Sequence, residues 1–405
     1  MPAMARWAAT VAAFFVMLVA RRPETILRAE FVFEDGKEWY LGAWHLPLFD
    51  AIATPYAGYL HFIPRVVGYL ERQGPVRLAP LVGNMIALLI VALIAAYVSS
   101  DRLSRLIPSR GVRMIVALYL VLLPTTGMTL GSITFIQFYL ALFLVAVAVS
   151  NPPRTSLQAV ATYVAVAMAA ATGPFGLVLV PLFVGRLLVR RDRDSAVLLT
   201  VVGLAAVAQA VTLLSVGRPA SAPPTTDPIA ILTILAGHGA TVSFGGRPIA
   251  KAIESGVPLW WIPTLGAAAL GLAAIHLRRL PGRWLLVAGY VAAAIIVPAL
   301  IVGSDDTALL LDPLSASRYF VVPGALLGVS LIVALSERPR YLPSIVMAAI
   351  LAVGIVGDLR LKPNLDLRWP EASRCIGGQA PCVVPVYPGG PWDIQWPGSD
   401  VDRIP

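Results

Sequence analysis

Apolar runs of roughly 18–20 residues recur along the whole chain, each long enough to cross a hydrocarbon layer about 30 Å thick as a helix. Inside lipid every backbone N–H and C=O must be paired, and a helix pairs its own. The runs are continuous and do not alternate with polar residues, which excludes an outer-membrane β-barrel. Composition agrees: 58% of residues are hydrophobic, 13% are charged and mean hydropathy is +0.79. A soluble domain carries about 25% charged residues. The expected fold class is an all-α polytopic membrane protein.

About eleven spans are expected, near 4–20, 79–98, 113–126, 133–149, 156–172, 174–189, 195–216, 258–276, 283–302, 318–335 and 342–357. The first 23 residues have the basic-then-apolar pattern of a signal peptide, but no polar segment follows as a mature domain. They read as a retained first helix. Short loops carry the arginines: Arg102, Arg105, Arg110 and Arg113; Arg186, Arg190, Arg191 and Arg193; Arg278, Arg279 and Arg283; Arg338 and Arg340. With an odd number of spans these loops share one face with Arg6, and that face is cytoplasmic by the positive-inside rule. The connections near Gly127 and Gly173 carry no Lys or Arg and fall on the other side. The net charge of +9 therefore reads as membrane topology and not as a nucleic-acid footprint.

The external face receives the long segments 21–78, 217–257 and 303–317 and the tail 358–405. Residues 1–357 thus form a transmembrane domain and 358–405 a small external tail. Apart from Asp101, Asp192, Asp194 and Glu337, the acidic residues all lie outside, so the polar working surface is external. Within 21–78, the stretches Phe49–Tyr56 and Tyr59–Glu71 have the spacing of short amphipathic helices lying in the membrane interface. Another short apolar helix is expected over Ile229–Gly237. Cys375 and Cys382 are the only cysteines. Outside the membrane they are placed to form a disulfide, with two free thiols as the alternative. A zinc site would need two more ligands, and no nearby His supplies them.

Three places could carry chemistry. Glu34-Asp35-Gly36 puts two carboxylates just past the first span, where one could act as a general base or bind a divalent cation. Gly36 would allow a turn presenting both to solvent, although in extended chain only one would face a given site. In PYAGYLHFIPR, His61 and Arg65 are four apart and would share a helix face near lipid head groups. Arg suits bidentate grip on phosphate; the plainer reading is interfacial anchoring. Arg318, in Ser317-Arg318-Tyr319-Phe320, stands at the mouth of a span near Asp305, Asp306 and Asp312. It would bind an anion or pair with one of those acids. His238 and Lys251 are candidates by location alone. The spans hold scarcely any ionisable side chain, which argues against a proton-coupled transporter.

Taken together, FVFEDGKEWY, PYAGYLHFIPR and the architecture resemble the GT-C superfamily of polyprenol-phosphate-dependent membrane glycosyltransferases. The resemblance covers nearly the whole chain and implies a first external loop with an acidic catalytic residue and interfacial helices. Asp35 matches that residue best, with Glu34 second. Arg318 resembles a basic residue near the lipid phosphate. Tyr56, His61, Arg65, Arg318 and Tyr319 become the substrate contacts. The implied function is transfer of a sugar from a polyprenyl-phosphate donor to a cell-envelope glycan, lipid or protein acceptor at the external face. The soluble region is smaller than in oligosaccharyltransferases. No D-x-D occurs in the first loop, so a divalent metal (Mg or Mn) is compatible with the sequence but not required by it. The composition fits a high-GC bacterium and its plasma membrane. The competing readings are a flippase or transporter of lipid-linked glycan, and a non-catalytic envelope-assembly subunit.

Overall fold

The computed structural model describes residues 3–124, 126–217, 227–228, 230, 234, 243–255, 317–337 and 342–398. The expected spans 258–276 and 283–302, His238, Asp305, Asp306, Asp312 and most of the helix expected at 229–237 lie outside the described residues.

The protein is mostly helical, at 71%. Among the described residues three helices are long and apolar enough to cross a membrane, Met4–Arg21, Val76–Ser99 and Arg193–Val216. Four shorter apolar helices accompany them: Ile136–Val149, Ser156–Ala170, Ser317–Val333 and Ala348–Gly357. Helix α1 (Ala3–Arg21) packs along α4 (Ala79–Ser99), and α4 along α5 (Arg110–Val121). Between them in the chain come α2 (Leu48–Ala53) and α3 (Phe62–Gln73). Helix α6 (Ile136–Val149) is apolar all round and buried on almost every side, as a helix at the centre of a bundle must be. It contacts α4, α7 (Ser156–Ala170), α8 (Val180–Arg190) and α11 (Val321–Glu337). Helix α9 (Arg193–Val216) lies against α7 and α8, and α10 (Ser243–Glu254) against α12 (Leu342–Gly357).

Two expected spans are shorter or broken. The helix expected to reach residue 126 stops at Val121. Pro124 has no N–H to continue the ladder and disfavours helical backbone just before it. The span expected at 174–189 divides into Phe175–Val178 and α8, with Pro181 in the first turn of α8.

The irregular segments 122–124 and 126–135 are a hub for hydrogen bonds from other parts of the chain. Arg21, at the end of α1, donates to the Val121 carbonyl at 2.6 Å and to the Leu123 and Asp358 carbonyls. Arg22 donates to the Gly127 and Leu130 carbonyls and to Asn364. Those guanidinium groups satisfy carbonyls that a non-helical backbone would otherwise bury unpaired.

The tail folds back onto the segment around Phe31 and Tyr40. The Cys375–Cys382 disulfide forms. Strands β1 (Cys382–Val384) and β2 (Ile394–Trp396) pair antiparallel, Cys382 opposite Trp396. Trp369, Val384, Val386, Ile394 and Trp396 bury against Phe31 and Tyr40 in a second small core. The Phe33 N–H donates to the Tyr387 carbonyl at 2.7 Å, and the Tyr387 N–H to that of Phe31 at 3.3 Å.

Candidate functional site

The segment after Val32 leaves extended backbone abruptly. Phe33 has a left-handed φ of 54°, unusual for a side chain of this size. The rings of Phe135, Trp392 and Tyr387 hold it edge-on, with centroids at 5.6, 5.5 and 6.3 Å. Strain of this kind costs on the order of 1–3 kcal/mol and persists only where neighbours fix it. Its local effect is to set the direction of Glu34.

Asp35–Tyr40 then forms a π-helix, continuing as Leu41–His45. The wide turn directs Asp35, Gly36, Trp39 and Tyr40 inward together. Gly36 does not present the carboxylates to solvent, as its place in the sequence suggested. It is buried, and a Cβ there would come within 2.8 Å of Val386. Helix α3 crosses this π-helix so closely that a Cβ on Gly68 would stand 2.3 Å from the Trp39 carbonyl oxygen.

The two adjacent carboxylates have different surroundings. Asp35 is 2% exposed. It accepts hydrogen bonds from the Thr134 hydroxyl at 2.6 Å, the Thr134 N–H at 2.8 Å, the Ser132 hydroxyl at 3.2 Å and the Ile133 N–H at 3.2 Å. Burial pushes its carboxyl up to about 6, against the pull of these donors. Three of these donors meet Oδ1 and one meets Oδ2, and together they tie the π-helix to the hub.

Glu34 faces the other way. The Tyr56 hydroxyl donates to its Oε1 at 3.4 Å, and its buried Oε2 receives no hydrogen bond from another residue. Burial pushes the carboxyl up to about 7, and the nearby charges of Asp35 and Glu38 push the same way. Its own backbone N–H and the Arg318 charge pull it back. Burial and the charges of Glu34 and Glu38 raise Tyr56, which stays a protonated donor.

Tyr56 is aimed by the chain reversal at Ala57-Gly58, where both residues take positive φ and the Tyr56 and Tyr59 backbones pair. The expected helix from Tyr59 therefore begins at Phe62, and the one expected to reach Tyr56 ends at Ala53. His61 precedes α3 and stacks on Trp39 and Tyr56, with centroids at 5.1 and 5.9 Å. Burial and the Arg65 charge push it down to about 4, so its ring is neutral at physiological pH.

Arg65 is not at the surface where a head group would meet it. It is 4% exposed, lies over the Trp39 ring and donates to the Glu38 carbonyl at 2.8 Å. Its guanidinium holds α3 to the π-helix. Arg318 is differently placed. It contacts the Met128 sulfur and the Tyr319 hydroxyl, lies 5.8 Å from the Phe135 ring centroid and 4.8 Å from that of Tyr319, and acts electrostatically on Glu34 and Tyr56. Among the described residues it forms no ion pair. Lys251 is exposed on α10.

The structure thus brings together Glu34, Tyr56, Arg318 and Tyr319, with His61 behind Tyr56. Asp35 and Arg65 turn into the supporting structure. Rings run from the tail past Glu34 into the bundle: Trp392, Phe33, Phe135, then Arg318, Tyr319 and Phe138. The Ser132 and Thr134 hydroxyls, Phe135, Met128 and Trp392 went unrecognised in the sequence. The dense Ser/Thr content of TTGMTLGSIT, in an uncharged loop, was the available signal. Among the described residues no three His, Cys, Asp or Glu side chains come together as a metal site.

No protein-family model matches the chain, and no curated protein matches it in sequence.

Proposed function

We propose that the protein is a membrane glycosyltransferase of the GT-C kind, taking a sugar from a polyprenyl-phosphate donor and placing it on an envelope acceptor at the external face. The reading assigns about eleven spans, a cytoplasmic N-terminus, an external tail and a plasma-membrane location. One observation carries it: Glu34, a largely buried carboxyl held near neutrality, meets a Tyr hydroxyl on one side and the field of Arg318 on the other.

Transfer needs a base for the acceptor hydroxyl and positive charge for the departing phosphate. Glu34 takes the acceptor proton as the acceptor oxygen bonds to the anomeric carbon. The bond from that carbon to the donor's phosphate oxygen breaks, its electron pair leaves with the phosphate, and Arg318 stabilises the charge. A carboxyl titrating near 7 suits a base working near neutral pH. Tyr56 orients the carboxylate and neutral His61 supports Tyr56. Asp35 holds the π-helix so that Glu34 keeps its direction. The ring of Trp392, carried by the tail, adds an apolar face beside Phe33.

The test is turnover of radiolabelled polyprenyl-phosphate sugars by membranes containing the full chain. Donor consumption with sugar appearing on an endogenous acceptor supports the reading. Failure to consume any donor across the common hexose, pentose and amino-sugar series contradicts it.

A further inference from the structure

At the other end of α6, 14 residues from its start, the chain builds a second charged centre. Helix C-termini leave carbonyls unpaired and carry partial negative charge. Here arginines from two segments, α8 and the turn after α4, cover them. Arg186 donates to the Val147, Ala148 and Ser150 carbonyls at 3.0, 2.9 and 2.7 Å. Arg190 donates to the Val149 carbonyl at 3.2 Å, and Arg102 to that of Asn151 at 2.9 Å. Arg105 lies close enough to Arg190 for their charges to repel.

The carbonyls do not exhaust these groups. Arg186 has its own counter-ion, Asp194, at 2.6 Å. The Asp192 carboxylate caps α9 by accepting from the Ser195 N–H at 2.7 Å. Arg190 Nη1 and Arg102 Nη2 are buried and carry no hydrogen-bond partner. They belong to arginines anchored on the Val149 and Asn151 carbonyls, two residues apart in the chain, so both guanidinium groups cover the end of α6 with a donor unspent. Burial, with the Arg186 and Arg105 charges, pushes Arg190 down to about 10, against the pull of Asp192 and Asp194. Next to Arg190 on α8, Leu188 and Val189 are 67% and 62% exposed, an apolar surface suited to lipid chains.

We infer that Arg102, Arg105 and Arg190 form a binding site for the phosphate of an anionic phospholipid head group at the arginine-rich face. Guanidinium donors match a phosphodiester's oxygens, and basic recesses between helices suit acidic lipids. The site is independent of any activity at Glu34.

The test is thermal unfolding of the purified full chain in detergent, followed by tryptophan fluorescence. It is titrated with phosphatidylglycerol, phosphatidylcholine or inorganic phosphate. Phosphatidylglycerol is expected to raise the wild-type Tm by roughly 5 °C, with little effect from the other two. Arg105 is exposed and makes none of the carbonyl bonds above, so R105Q should unfold as wild type yet need about threefold more lipid. R105Q/R190Q should lose most of the shift. Equal shifts from both lipids, a full shift in R105Q/R190Q, or a full shift from inorganic phosphate alone would each overturn the lipid site.

Discussion

Glu34 and Asp35 are neighbours in sequence that serve opposite sides of the chain. Asp35 Oδ1 lies 2.6 Å from the Thr134 hydroxyl in the buried hub, while Glu34 Oε1 lies 3.4 Å from the Tyr56 hydroxyl. One carboxylate is bound into the fold and the other keeps a buried oxygen without a partner.

Asp35→Asn is expected to act mainly on stability. An amide turns one acceptor into a donor facing the Ser132, Ile133 and Thr134 donors. Hydrogen bonds to a charged group are worth about 1.5–3 kcal/mol each. Loss of about 2–4 kcal/mol should follow, read as a lower Tm in detergent. A D35N protein with wild-type Tm would show that the cradle does not carry the π-helix.

The pH dependence of transfer should follow Glu34. Its carboxyl is raised to about 7, so the active ionised form accumulates as pH rises, and the rate should climb through pH 7 and level off above it. Tyr56→Phe removes a donor to the carboxylate and favours the protonated form. The limb should then move up by about 0.7 of a pH unit, from a hydrogen bond of about 1 kcal/mol. An unmoved or lowered limb in Y56F would separate Tyr56 from the base.

Glu71 should make stability depend on pH in the opposite sense to an ion-paired acid. It is 1% exposed, both carboxylate oxygens lack partners, and burial with the Asp35 charge holds it well above the ordinary Glu value. The folded state therefore keeps its proton where the unfolded chain has lost it. Its contribution is full below the unfolded pKa and declines as pH rises toward the folded one, by up to about 1.4 kcal/mol per unit. Glu71→Gln is neutral at every pH, so its Tm should fall less than that of wild type between pH 5 and 8. Parallel curves would contradict a protonated Glu71.

Gly68→Ala would ordinarily favour a helix by about 1 kcal/mol. Here the new methyl would meet the Trp39 carbonyl at 2.3 Å, and a backbone atom cannot swing aside. Overpacking of this sort costs about 1–3 kcal/mol. G68A should melt below wild type, and an equal or higher Tm would show that α3 does not press on the π-helix.

Much of the helical framework was legible because apolar runs report directly on helices. The 342–357 run is helix Leu342–Gly357, and 195–216 lies inside Arg193–Val216. The Cys375–Cys382 pair was legible from its isolation outside the spans. The division of labour at Glu34-Asp35 was not, because it is decided by Ser132 and Thr134, about 100 residues away. Arg65 looked like a surface anchor because its apolar neighbours recur at helical spacing. Only the π-helix, which widens the turn at Trp39, supplies the buried ring and carbonyl that claim it.

The most direct measurement is donor turnover by the purified chain with Glu34→Gln beside wild type, in one lipid preparation at pH 7.5. Gln keeps the shape and the bond from Tyr56 but cannot take a proton. A fall in kcat of about 10²–10⁴ with unchanged Tm is the predicted result. Transfer by E34Q at the wild-type rate would contradict the assignment of Glu34 as the base.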